Sequence, residues 1–226
     1  MRVSIWIGRL LCPKSRAPVA AAETPGMDRI KFFSDAVFAI AITLLSLNLA
    51  LPPGTVASNL AHKLNTIWPQ YGAFAFTFLL IGLRWLTHLI QFRYIRHYDY
   101  RLLGLNLGLL FVVAFLPFAS RVLAEHSNSR PASVLYAGSM AVAGLISTLL
   151  WWHACRGGLL VDDPELDSYA RGNLLLRWVT LPILFGIAII LVLLVPNLWV
   201  ARAVALATPV VQIGIAVSAR RAGHPI

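Results

Sequence analysis

Three ionisable side chains stand inside apolar runs of membrane length, and any chemistry in this chain has to involve them. Asp35 heads the stretch "FFSDAVFAIAITLL", Phe32 to Leu45, while Arg84 and His88 lie one helical turn apart in "FLLIGLRWLTHLIQF". A charge at the bilayer centre costs about 2.5–3.5 kcal/mol on insertion scales, so such groups pair with one another or with water. The second run returns across the membrane, which brings Arg84 and His88 to the depth of Asp35. A buried network of Asp35 with Arg84 or His88 is therefore expected, fixing how two helices pack. A proton relay through the same three residues is the alternative, and a plain acidic charge at a helix N-terminus is the simplest reading. Arg29 is about 120° around the helix from Asp35, so it must reach another helix or another subunit.

The rest of that first run has a pattern of its own. With Asp35 at zero and about 100° per residue, Thr43, Leu47, Ile40 and Leu44 fall at about 80°, 120°, 140° and 180°. They form one stripe, well away from the acid, so the two serve different surfaces. Spacing alone reads such a stripe as ordinary helix–helix packing. Other chemistry is not in evidence. HExxH, Walker and GxSxG patterns are missing, and the six histidines are scattered. Cys12 and Cys155, far apart, indicate neither a disulfide framework nor a zinc site. Asp162, Asp163, Glu165 and Asp167 share one loop; they offer hard oxygen ligands, yet a solvated loop is the expected reading. No enzyme, metal site or cofactor is expected.

Positioning these residues requires a membrane frame. The 226 residues are 58% hydrophobic and 12% charged, with a mean hydropathy of +0.74, too little charge to cover a soluble surface. The net charge of +10 sits in short segments flanking apolar runs, which excludes a nucleic-acid partner and marks orientation signals. Six spans are expected, at about Lys31–Leu51, Pro69–Phe92, Leu102–Leu123, Ala132–His153, Leu174–Val195 and Leu198–Ser218. Lys and Arg gather on the side of the N-terminus, against Lys63, Arg121, Arg130 and Arg202 opposite, so both termini are expected to be cytoplasmic. Trp151, Trp152, Trp178 and Trp199 are expected to anchor span ends at the interface. Residues 1–26 are expected to be a disordered or surface-lying cytoplasmic tail, and residues 27–226 the six-helix domain.

Arg29-x-x-x-Phe33-Ser34-Asp35, followed directly by the Ile/Thr/Leu helix, resembles the RxxxFSD motif of the transmembrane protein 175 family of endosomal and lysosomal potassium channels. "FLLIGLRWLTHLIQF" is similar to that family's second helix, and "LNLGLLFVVAFLPFASRVLAE" to its third. The resemblance implies an all-α integral membrane protein with six transmembrane helices per subunit. It further implies a homotetramer in a prokaryotic cell membrane, with the first helix lining a central pore. Ile40 then takes the position of a hydrophobic constriction, with Thr43, Leu44 and Leu47 continuing the lining. Arg29, Phe33, Ser34, Asp35, Trp85 and His88 take the positions that hold the helix in place. The implied function is passive, potassium-preferring conduction, with the ion as the only small partner besides lipid. Leu89 replaces the second histidine of the family's pair, Arg84 adds a charge, and Asn48 stands where an acidic residue is expected. The competing readings are a proton-coupled secondary transporter using Asp35, Arg84 and His88, and a membrane scaffold without transport.

Overall fold

The computed structural model describes residues 26–51, 53–160, 168–195 and 198–221, with the side chains of 168–177, 198–202, 216 and 218–221 left aside. Seven α-helices follow one another among these residues. They are α1 (Met27–Leu44), α2 (Leu60–Thr66), α3 (Trp68–Tyr94), α4 (Tyr100–Glu125), α5 (Arg130–Arg156), α6 (Ser168–Leu194) and α7 (Leu198–Arg221). A tight 3₁₀ turn, Leu45–Asn48, prolongs α1. Residues 1–25 of the expected 1–26 tail and the acidic loop from Asp162 to Asp167 lie outside the described residues.

The all-α, multi-pass architecture is as expected, but the count of six crossing helices is not. Among the described residues four helices are long and apolar enough to cross a membrane: Met27–Asn48, Trp68–Tyr94, Tyr100–Glu125 and Arg130–Arg156. The described apolar parts of α6 and α7, Trp178–Leu194 and Ala203–Ile215, run to 17 residues at most. At 1.5 Å per residue that falls short of a core about 30 Å thick.

Helix α1 begins where Gly26 takes a left-handed backbone, φ 95°. A Cβ there would stand 3.2 Å from the Tyr98 hydroxyl, so only glycine gives both the turn and the close approach. The Gly26 carbonyl then accepts from the Arg29 and Ile30 amides, and Asp28 in the first turn complements the helix dipole. Along α1, Ser34, Phe38, Ala41 and Leu45 recur at i, i+4, i+7 and i+11 and are buried. Phe38, Ala41 and Leu45 meet Leu80 and Ile81 of α3 and Leu109, Val113 and Leu116 of α4 in one apolar core.

A second core lies under the opposite end, built on Met27, Phe92, Ile95, Leu102, Trp151 and Trp178. Trp151 and Trp178 meet edge to face with ring centres 4.4 Å apart, both almost fully buried. These two are core residues rather than interface anchors, because each finds the other's ring across α5 and α6. Trp152 is exposed under the Arg156 guanidinium, 4.6 Å from its ring centre; Trp199 is outside the described side chains. Cys155 is buried on α5, and Cys12 lies outside the described residues.

Candidate functional site

Helix α1 has two faces. The buried one is the Ser34–Leu45 stripe. About 140° around the helix, Ile40, Thr43, Leu44 and Leu47 all point outward, with Ile40 58% exposed. The expected stripe is thus not the surface by which α1 packs in its own subunit. An apolar face left outward on a helix already packed on its other side must meet lipid, another copy, or an axis shared by several copies.

Hydroxyls punctuate that face. Thr43 Oγ1 donates to the Ile40 carbonyl at 2.8 Å, and Ser46 Oγ to the Thr43 carbonyl at 2.7 Å. With both protons turned back onto the helix, the oxygens keep lone pairs free to accept. The polar atoms this face offers a cation are therefore hydroxyl oxygens. The carbonyls of Ile40 and Thr43 are each covered by one of those hydroxyls.

The other side of α1 is locked by polar contacts at its N-terminal half. Trp85 Nε1 on α3 donates to Asp35 Oδ1 at 2.8 Å. Ser34 Oγ donates to the Ile30 carbonyl at 2.8 Å, so it accepts from Asn106 Nδ2 of α4 at 3.0 Å. That sets the amide's orientation and turns Asn106 Oδ1 toward His88 Nε2, 2.9 Å away. His88 Nε2 must then carry the proton and donate. His88 is 2% exposed, stacked on Phe92 at 4.4 Å and tilted against Phe38 at 5.4 Å. Three helices are tied at one level by Ser34, Asp35, Trp85, His88 and Asn106.

Asp35 accepts from Trp85, a donor of α3 that the expected network of Asp35 with Arg84 or His88 did not include. Asp35 and His88 do line one open cavity of about 330 Å³ with Asp28, Lys31, Leu89 and Arg93. Arg84 is buried on α3. Arg29 and Phe33 are exposed and are not drawn into the network within one subunit. Sequence reasoning missed Asn106. Its signal was available, since an amide inside "LNLGLLFVV" is as conspicuous as an acid in an apolar run. Deeper in the bundle Gln91 donates to the Ser147 carbonyl at 2.9 Å, linking α3 to α5.

A multi-pass helical membrane protein whose first helix is locked on one side and presents an apolar, hydroxyl-bearing face on the other is built as a helix-lined channel subunit. A family model described as endosomal/lysosomal potassium channel TMEM175 matches residues 29–117, from the Arg29 motif through Pro117 of α4. A potassium channel of Streptomyces collinus is 40% identical over 146 residues, 63% of this chain and 70% of that protein. A potassium channel of Chamaesiphon minutus is 35% identical over 162 residues, 68% and 80% of the respective chains. The crystal structure of a lysosomal potassium-selective channel TMEM175 homolog from Chamaesiphon minutus superposes with a TM-score of 0.72 at 29% identity. That superposition covers 86% of this chain and 98% of the other. The chain belongs to the TMEM175 family. It is a multi-pass protein of a cell membrane that conducts cations passively through a helix-lined pore, and it is not an enzyme. Neither the fold nor the relatives support the proton-coupled carrier.

Proposed function

We propose that the chain is the subunit of a potassium-preferring channel in the plasma membrane of a prokaryote, assembled as a homotetramer around four copies of α1. The observation that carries this reading is the outward face of Ile40, Thr43, Leu44 and Leu47 on a helix whose opposite side is fully engaged. Turned to a common axis, those side chains make successive apolar rings with Ile40 as the constriction, which gates by dewetting and selects by width. Thr43 supplies the hydroxyl oxygens within that lining. Ser34, Asp35, Trp85 and His88 hold the helix so that the face stays turned to the axis. Arg29 and Phe33, exposed in one subunit, serve the same motif at the contact with another copy. The preference for potassium is modest, because the lining has few polar ligands to replace a hydration shell. Bacterial relatives named as potassium channels support the ion and the compartment.

The test is the reversal potential of the purified protein in a planar bilayer, with potassium on one side and sodium on the other. A shift toward the potassium equilibrium is expected, and Ile40→Asn should move it toward zero. Current that ignores Ile40→Asn, or none from intact oligomers, would sink the reading. Native mass spectrometry of the same preparation tests the tetramer.

A further inference from the structure

Asn48 is the polar residue at the far end of α1, where the helix tightens into its 3₁₀ turn and stops. Its side chain is half-buried. Asn48 Nδ2 donates at 2.9 Å to the carbonyl of Pro117, a buried proline inside α4. Proline lacks an N–H and its ring presses on the preceding turn, so the carbonyl left without its helical donor is that of Val113, one turn before the carbonyl Asn48 reaches. At the other end of α1 the same helix α4 supplies Asn106 to Ser34. Helix α4 thus grips α1 at two places, and Ile40 lies between them.

We infer that Asn48 is a positioning residue that anchors the outer end of α1 to Pro117 of α4, keeping the Ile40–Leu47 face in its orientation. This rests on the channel reading for its consequence, but the anchor itself is independent of it. The inference also gives Asn48 a different meaning from the one its position first raised. An acidic residue there would concentrate cations; an amide there instead supplies a donor, which a carboxylate cannot do. The two ideas predict opposite effects for one substitution.

The experiment compares the full-length wild type with Asn48→Ala, Asn48→Asp and Asn48→Gln, by amide hydrogen exchange in detergent and by bilayer current. Loss of an interhelical hydrogen bond of average strength in a membrane protein corresponds to about a threefold change in local opening. Exchange at Leu45–Leu51 should therefore accelerate about threefold in the Ala and Asp variants, with Gln, which keeps the donor, near wild type. Current should fall alike in Ala and Asp and be retained in Gln. Unchanged exchange in Asn48→Ala overturns the anchor. So does an Asp variant that conducts more than wild type while the Ala variant conducts the same, because the position then acts through charge. A silent wild type in intact oligomers fails the channel reading, and exchange still decides the anchor by itself.

Discussion

Replacing Asn106 by alanine should damage this protein more than any other single change in the polar network, and the hydrogen bonds say by how much. Asn106 makes two contacts, donating to Ser34 at 3.0 Å and accepting from His88 at 2.9 Å. The two losses are unequal. Ser34 keeps its bond to the Ile30 carbonyl, so it forfeits only an incoming donor, about 0.6 kcal/mol on the average for interhelical bonds. His88 Nε2–H is left without that acceptor in a site 2% exposed, which costs about 1–3 kcal/mol. Together Asn106→Ala should lose about 2–3 kcal/mol. For a chain of this size each kcal/mol moves the midpoint by about 2–4 °C, so a fall of about 5–10 °C is expected. The assay is thermal unfolding of the detergent-solubilised oligomer, followed by size-exclusion fluorescence. Ser34→Ala leaves the Asn106 Nδ2–H without its acceptor at a buried position, so it too should cost about 1–3 kcal/mol. A midpoint for Asn106→Ala within 2 °C of wild type would refute the network as described.

Two further outcomes follow from other parts of the molecule. At Gly144 a Cβ would stand 2.9 Å from the Pro182 backbone nitrogen and closer still to its ring and to Leu181; backbone cannot step aside as a side chain can. Gly144→Val should cost about 1–3 kcal/mol through overpacking between α5 and α6, whereas Gly138→Val, where a Cβ meets nothing within 4 Å, should be tolerated. The same unfolding assay separates the two. Asp99 caps α4 by accepting from the Leu102 amide at 2.8 Å and is held by His153 Nε2 at 2.8 Å. Slight burial raises its pKa, but the Leu102 amide, His153 and Arg101 together bring it below the ordinary carboxylate value. A lowered folded pKa means the cap contributes fully above about pH 4 and fades as pH falls through the folded value. Asp99→Asn, which still caps but does not titrate, should lose that acid limb of the stability profile; an unchanged limb would count against the cap.

Much of this protein was written in local terms. Hydrophobic runs of membrane length predicted α1, α3, α4 and α5 to within a few residues, because in a bilayer every backbone polar group must be paired inside the helix. The angular separation of Asp35 from the Ile40–Leu47 stripe was also legible, since it follows from helix periodicity alone, and the Arg29-to-Asp35 motif pointed to the right family. What the stripe faced was not legible. Spacing made it a packing surface, and only the assembled bundle, with Phe38 and Leu45 buried on the other side, left it outward.

Pairing was the part that tertiary structure decided. Depth in the membrane nominated Arg84 and His88 as partners of Asp35, but it gave no sign that Trp85 would also donate to that carboxylate. The rotation of α3 put Trp85 against Asp35 and turned His88 to Asn106. Trp151 and Trp178 looked like interface anchors by position and became core because two helices met there. Sequence by itself determined which segments are helices and which residues share a face, as both depend on chain geometry over one or two turns. The orientation of each face, and so which residues bond and which remain open to an ion, came only from how the helices pack, where contacts far apart in sequence compete for the same surface.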